Sequence, residues 1–247
     1  MFRILVVCTA NICRSPAAAA LLSRELADRP VAVHSAGVAA QAGQPACDLS
    51  SALVGEFVAR EYGGTTDSEL SVVESSTDGP ADRGVTPLGR HRSRLVDAEM
   101  LSDAGLILAL DRSHRAELAR VDPASRARTF TLRQAAGLSD VVSGYTAAGQ
   151  MPPGAPAVPE DPAARLTWWV AELDAARGTA PVTPDAEPHE TPLSWHPDDV
   201  PDPHVLGYQI HPAAIELIEE GILRISSGII QALAFAAAED SPRGHVD

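Results

Sequence analysis

The chain has 247 residues, 45% of them apolar, and a formal net charge of −14. That length supports a sizeable core. No apolar run approaches a membrane span, and no basic excess points to nucleic acid. The charge is localised. Residues 65–82 carry five acids (Asp67, Glu69, Glu74, Asp78, Asp82) and no base, and residues 178–203 carry six (Asp185, Glu187, Glu190, Asp198, Asp199, Asp202) and no base. Eleven of the fourteen surplus charges therefore fall in two segments of irregular composition, and the rest of the chain is near neutral. Three cysteines, Cys8, Cys13 and Cys47, form neither a disulfide framework nor a metal-ligand spacing. We expect no metal, no cofactor, no membrane or nucleic-acid partner, and a reducing, cytoplasmic setting.

In chain order, residues 2–7 read as a buried strand through Ile4-Leu5-Val6-Val7. An alanine- and leucine-rich helix over 15–28 follows, with Ser15 as N-cap and Pro16 in its first turn. Between them runs Cys8-Thr9-Ala10-Asn11-Ile12-Cys13-Arg14-Ser15. A loop turning from a strand into a helix in this way aims successive backbone N–H groups at its centre. Together with the helix N-terminus these make a nest for a tetrahedral oxyanion, formed by Thr9, Ala10, Asn11, Ile12, Cys13, Arg14 and Ser15. Arg14 closes the ring with two parallel hydrogen bonds. The same positive field favours the thiolate of Cys8 at the floor of the cup, an activated nucleophile under a bound phosphoryl group. Cys13 is either packing or the partner of a reversible disulfide that shields Cys8.

This stretch, Val-Cys-Thr-Ala-Asn-Ile-Cys-Arg-Ser-Pro, resembles the signature loop of the low-molecular-weight protein tyrosine phosphatases. The family's usual glycine before the asparagine is Ala10, which implies a loop that accepts a side chain there or carries strain. Further on, 31–37 reads as a strand ending in His34-Ser35-Ala36-Gly37, which completes a βαβ unit and implies a parallel sheet. By the resemblance, Ser35 braces the loop and His91, in His91-Arg92-Ser93-Arg94, hydrogen-bonds Asn11. A helix is expected over 48–62, with Leu49, Leu53, Phe57 and Val58 on one face and Gly63-Gly64 as its stop. A short acidic helix over 97–103 precedes a strand over 106–110, with Asp111 at the carboxyl end where open α/β sheets place ligands. A helix over 112–121, a strand over 129–132 and the start of a helix at 133–138 follow.

The pattern loosens from Ser139, and thirteen of the twenty prolines lie between Pro152 and Pro212. Within that stretch 162–177 reads as a helix, with the Trp168-Trp169 pair packing against the body, and 178–201 as a connector. A final helix is expected from 212 to about 238. The family places its general acid in an Asp-Pro loop before the last helix. That implies Asp202, and leaves Asp161, also before a proline, as an N-cap. Where the family grips an aromatic ring, this chain has Gln41 and His204.

The expected fold is a single α/β domain across 1–247: three layers, doubly wound, with a four-stranded parallel sheet, helices on both faces, and irregular insertions near 63–84 and 139–199. The resemblance implies a phosphatase acting on a phosphorylated protein or small aryl phosphate through a phosphocysteine. Cys8, Arg14 and Asp202 are then catalytic. Two alternatives stay open. One is arsenate chemistry on the same fold, although the type that relays through its own cysteines needs a downstream pair and only Cys47 is present. The other is a non-catalytic phosphate-binding module.

Overall fold

The computed structural model describes residues 1–62, 88–148, 156–178 and 196–235. Strand β1, Phe2–Cys8, is buried on both faces apart from Arg3, as its run of Ile, Leu and Val dictates. It pairs in parallel with β2, Val31–Gly37, from Phe2 opposite Val31 to Cys8 opposite Gly37. On its other side lies β3, Leu106–Ala109, with Val7 opposite Ala109, and β3 pairs in turn with β4, Thr129–Thr131. The order β2-β1-β3-β4 is all parallel. The chain leaves β1 toward one edge and returns through β3 toward the other, so the switch point lies between the carboxyl ends of β1 and β3. Cys8 and Asp111 stand there.

Alternate residues of β1 feed two cores. Ile4, Val6 and Cys8 belong to one, while Leu5 and Val7 belong to the other. The first core is covered by α1 (Arg14–Glu25), α2 (Asp48–Tyr62), α5 (Leu132–Ala147), α6 (Pro162–Ala175) and α8 (His211–Ala234). The second is covered by α3 (Ala98–Asp103) and α4 (Arg112–Val121). The three expected layers are present. Helix α8 packs against α1, α5 and α6 through Ile215, Ile218, Ile222, Ile225 and Ile229. Its approach to α5 and α6 is close enough that a Cβ at Gly228 would collide with the Ser139 hydroxyl and press on Trp169. No helix among the described residues is long and apolar enough to cross a membrane.

Three sequence expectations are corrected. Helix α5 does not loosen at Ser139 but runs to Ala147, because Ala135, Leu138, Val142 and Thr146 continue a buried stripe facing α8. With α6 it brings regular, core-forming structure into the segment expected as an insertion. The other expected insertion, near 63–84, lies outside the described residues. Helix α2 spans the predicted residues, with Phe57 buried and Leu53 and Val58 packed against the first core as expected, but the face is turned so that Ser50 and Val54 are buried and Leu49 is 40% exposed. Its start is pinned by the Cys47 N–H donating to Ile12 O at 2.6 Å and by Ser50 Oγ meeting Cys13 Sγ at 2.8 Å. Ser15 is not an N-cap either; α1 begins at Arg14, and the Ser15 hydroxyl turns inward to the site.

Candidate functional site

The loop from Cys8 to Arg14 is shaped by where its carbonyls go. Cys8 O accepts from the Val38 N–H at 2.9 Å and Thr9 O from the Ala39 N–H at 2.9 Å. Asn11 O meets His91 Nε2 at 2.7 Å, and Ile12 O accepts from Cys47 N–H. A carbonyl and the following N–H point opposite ways across a planar peptide. Tying these carbonyls to the surrounding scaffold therefore turns the N–H groups of Thr9, Ala10, Ile12 and Cys13 toward the hollow over Cys8. The Asn11 N–H donates to Cys8 Sγ at 3.3 Å. At Gly37 a Cβ would strike the backbone of Thr9, Ala10 and Asn11, so the end of β2 must be glycine for the loop to close.

Asn11 is the keystone, fully buried and at φ 55°, the one described non-glycine residue at positive φ. Strain at Ala10 is thus not required, because asparagine, which tolerates the left-handed region, takes the turn. Its Nδ2 donates to Ser15 Oγ at 3.0 Å and to Ser35 Oγ at 2.9 Å, and its Oδ1 accepts from the Arg94 N–H at 3.0 Å. Ser35 and His91 therefore both meet Asn11, as the resemblance implies. His91 is buried. Burial lowers its pKa, opposed by the hydrogen bond that Nε2–H donates to the Asn11 carbonyl. Ser15 Oγ lies 3.0 Å from Cys8 Sγ.

Arg14 is 2% exposed. Its Nη1 donates to Val200 O at 3.0 Å and lies 3.3 Å from Asp111 Oδ2. Its Nη2 donates to Thr9 Oγ1 at 3.2 Å and forms an ion pair with Asp202 Oδ2. The guanidinium thus gathers the Cys8 loop, the end of β3 and the segment before α8. Asp202 also caps α7, Pro203–Leu206, accepting from the His204 N–H at 3.0 Å. Asp161 lies elsewhere, capping α6 through the Ala164 N–H at 2.8 Å. Gln41 and His204 are both exposed, and the His204 ring packs edge-on against Tyr208 and His211.

Two residues outside the predicted set complete the site. Asp111 caps α4 and faces Arg14. Burial pushes its carboxyl up, but His114, Ser113 and Arg14 outweigh that and hold it below the usual range. His114 touches Thr9 Oγ1 through Nε2 at 2.8 Å, and its Nδ1 lies 3.1 Å from Asp111 Oδ2. Burial, only partly opposed by Asp111, lowers its pKa to about 4, so it is neutral at pH 7. The legible signal was positional: a carboxylate at the carboxyl end of β3, with a histidine three residues on, one turn into the helix.

The family described as low molecular weight phosphotyrosine protein phosphatase matches residues 3–61. A probable low molecular weight protein-tyrosine-phosphatase, AmsI of Erwinia amylovora, is 32% identical over 127 residues, 51% of this chain and 68% of that protein. A protein-arginine-phosphatase of Geobacillus stearothermophilus is 32% identical over 133 residues, 54% of this chain and 70% of that protein. The solved structure of the YwlE arginine phosphatase from Geobacillus stearothermophilus superposes with a TM-score of 0.52 at 23% identity, covering 94% of each chain. It shares the fold.

Proposed function

We propose, for a chain that belongs to the low-molecular-weight protein-tyrosine-phosphatase family and is a phosphatase of it, that it hydrolyses phosphomonoesters, protein phosphotyrosine among them, through a phosphocysteine. Cys8 Sγ attacks phosphorus from the floor of the loop while the leaving oxygen takes a proton from Asp202. Asp202, now a carboxylate, then removes a proton from the water that attacks the phosphocysteine, which releases phosphate and returns the Cys8 thiolate. The inward N–H groups and Arg14 hold the equatorial oxygens in both steps. His114 and Asp111 orient Thr9 and Arg14 from behind. The observation that carries this reading is the convergence on one guanidinium: Arg14 closes the Cys8 loop and also pairs with Asp202, 188 residues away in sequence.

The test is turnover of p-nitrophenyl phosphate and of a phosphotyrosine peptide, set against arsenate-dependent consumption of a small thiol. We expect phosphate release from both phosphoesters. Thiol consumption without phosphate release would overturn the reading. A phosphoarginine peptide is a second substrate to compare, since a relative at 32% identity carries the name protein-arginine-phosphatase.

A further inference from the structure

Beside the Cys8 loop, four side chains that the hydrolytic steps do not use meet: Cys13 at the end of the loop, whose backbone N–H alone faces the hollow, Cys47 just before α2, His204 in α7 and His211 at the start of α8. Their ligand atoms, two thiol sulfurs and two imidazole nitrogens, all lie within 4.8 Å of one another. A tetrahedral zinc ion with Zn–S near 2.3 Å and Zn–N near 2.0–2.1 Å sets its ligand atoms about 3.3–3.8 Å apart. Cys47 Sγ and His211 Nε2 already stand at 3.5 Å.

The surroundings suit a metal as well as the distances do. His211 is fully buried, and its Nδ1 lies 2.9 Å from Tyr208 O. A proton on Nδ1 donated to that carbonyl leaves the Nε2 lone pair facing Cys47, the outer-shell arrangement that orients a metal-binding histidine. Ser50 Oγ, 2.8 Å from Cys13 Sγ, can donate to the sulfur once it is a thiolate. Tyr208 stacks on the His211 ring and holds its plane, with centroids 5.6 Å apart. His204 is exposed, which opens one side for entry.

We propose that Cys13, Cys47, His204 and His211 form a tetrahedral Zn²⁺ site. Binding forms two Zn–S and two Zn–N bonds, releases the two thiol protons to solvent, and changes no oxidation state. Two thiolates and two imidazoles are the donor set that suits zinc. With four protein ligands the coordination is closed, so the ion acts as a clamp. It joins the Cys8 loop to the start of α8 and to His204, whose N–H donates to Asp202. It also withholds Cys13 from a disulfide with Cys8. Spacing along the chain predicts no metal site because the ligands come from widely separated stretches, at 13, 47, 204 and 211.

The experiment uses the full chain carrying Cys8→Ser, so that the nucleophile cannot take up metal, after stripping with a chelator. Titration with Co²⁺ should give one equivalent bound, with a near-ultraviolet thiolate-to-cobalt band and the intense visible bands of tetrahedral cobalt. Zn²⁺ should displace it and raise the melting temperature. Adding Cys47→Ser and His204→Ala, at partly exposed and exposed positions, should remove the band and the melting shift while the far-ultraviolet circular dichroism is unchanged. Weak octahedral cobalt bands, or undiminished binding in that variant, would overturn the site. The readout needs no turnover, so it fails or succeeds independently of the phosphatase reading.

Discussion

The Cys8 loop and the segment that carries Asp202 are built in opposite ways. The loop is short, contiguous and braced by buried hydrogen bonds from β2, the 91–94 stretch and the start of α2. The acid-bearing segment arrives from far along the chain and is held by a few links. Val200 N–H donates to Leu110 O at 2.8 Å, Arg112 pairs with Asp199, and Arg14 grips both Val200 O and Asp202. The loop is therefore preorganised by its own scaffold, whereas Asp202, the acid of the proposed mechanism, is positioned in part by the residue assigned to grip phosphate. Stability should be sensitive to the first region, and the handling of the leaving group to the second.

The largest effect expected is at Cys8, the proposed nucleophile. Cys8→Ser should abolish turnover while vanadate still binds, because the N–H groups and Arg14 remain; measurable turnover in that variant would remove Cys8 from its role. Asn11→Ala should come next. It deletes three side-chain hydrogen bonds and forces alanine into positive φ, so we expect a loss of roughly 2–4 kcal/mol in urea unfolding together with reduced kcat. A fully stable variant would show that the loop does not depend on its bracing.

His114 gives a pH-dependent contrast. Its folded pKa, about 4, lies below the ordinary 6.5. Between those values the unfolded chain binds the extra proton, so stability falls as pH drops from 6.5 toward 4, by up to about 3 kcal/mol. His114→Gln should flatten this limb of the stability profile. The smallest effect is expected from Arg112→Ala. Its pair with Asp199 is half exposed, so unfolding should change by at most about 1 kcal/mol. KM for p-nitrophenyl phosphate should stay near that of the parent. A large stability loss here would erase the contrast between the two regions.

What the sequence revealed follows the same division. The β1–loop–α1 unit was legible because chemistry and local structure coincide in eleven consecutive residues, Val6 to Pro16, whereas Ser35 and His91 were reached through the resemblance. Asp202 was reached only through the resemblance, since no periodicity links residue 202 to residue 14. The turn of Asn11, the inward Ser15 and the rotated face of α2 were not legible, because each is decided by a contact with another element: Ser35 and Arg94 for Asn11, Ala36 of β2 for Ser15, Ile12 for the entry to α2. The continuation of α5 was hidden because the apolar pattern loosens from Ser139 along the chain, and the Leu138 and Val142 face becomes a core face only where α8 covers it.

The central claim is that Asp202 serves Cys8 as acid and then as base, and acid-quenched mass spectrometry tests it directly. With p-nitrophenyl phosphate the leaving group departs without much help, so in Asp202→Asn the first step should survive while the second, which needs a base, slows. The cost in overall rate should be about 10²–10⁴. We expect phosphate covalently attached to Cys8 to accumulate in Asp202→Asn, and to stay as scarce in Asp161→Asn as in the unsubstituted protein. Absence of a phosphorylated Cys8 in Asp202→Asn, or its accumulation in Asp161→Asn instead, would contradict the account.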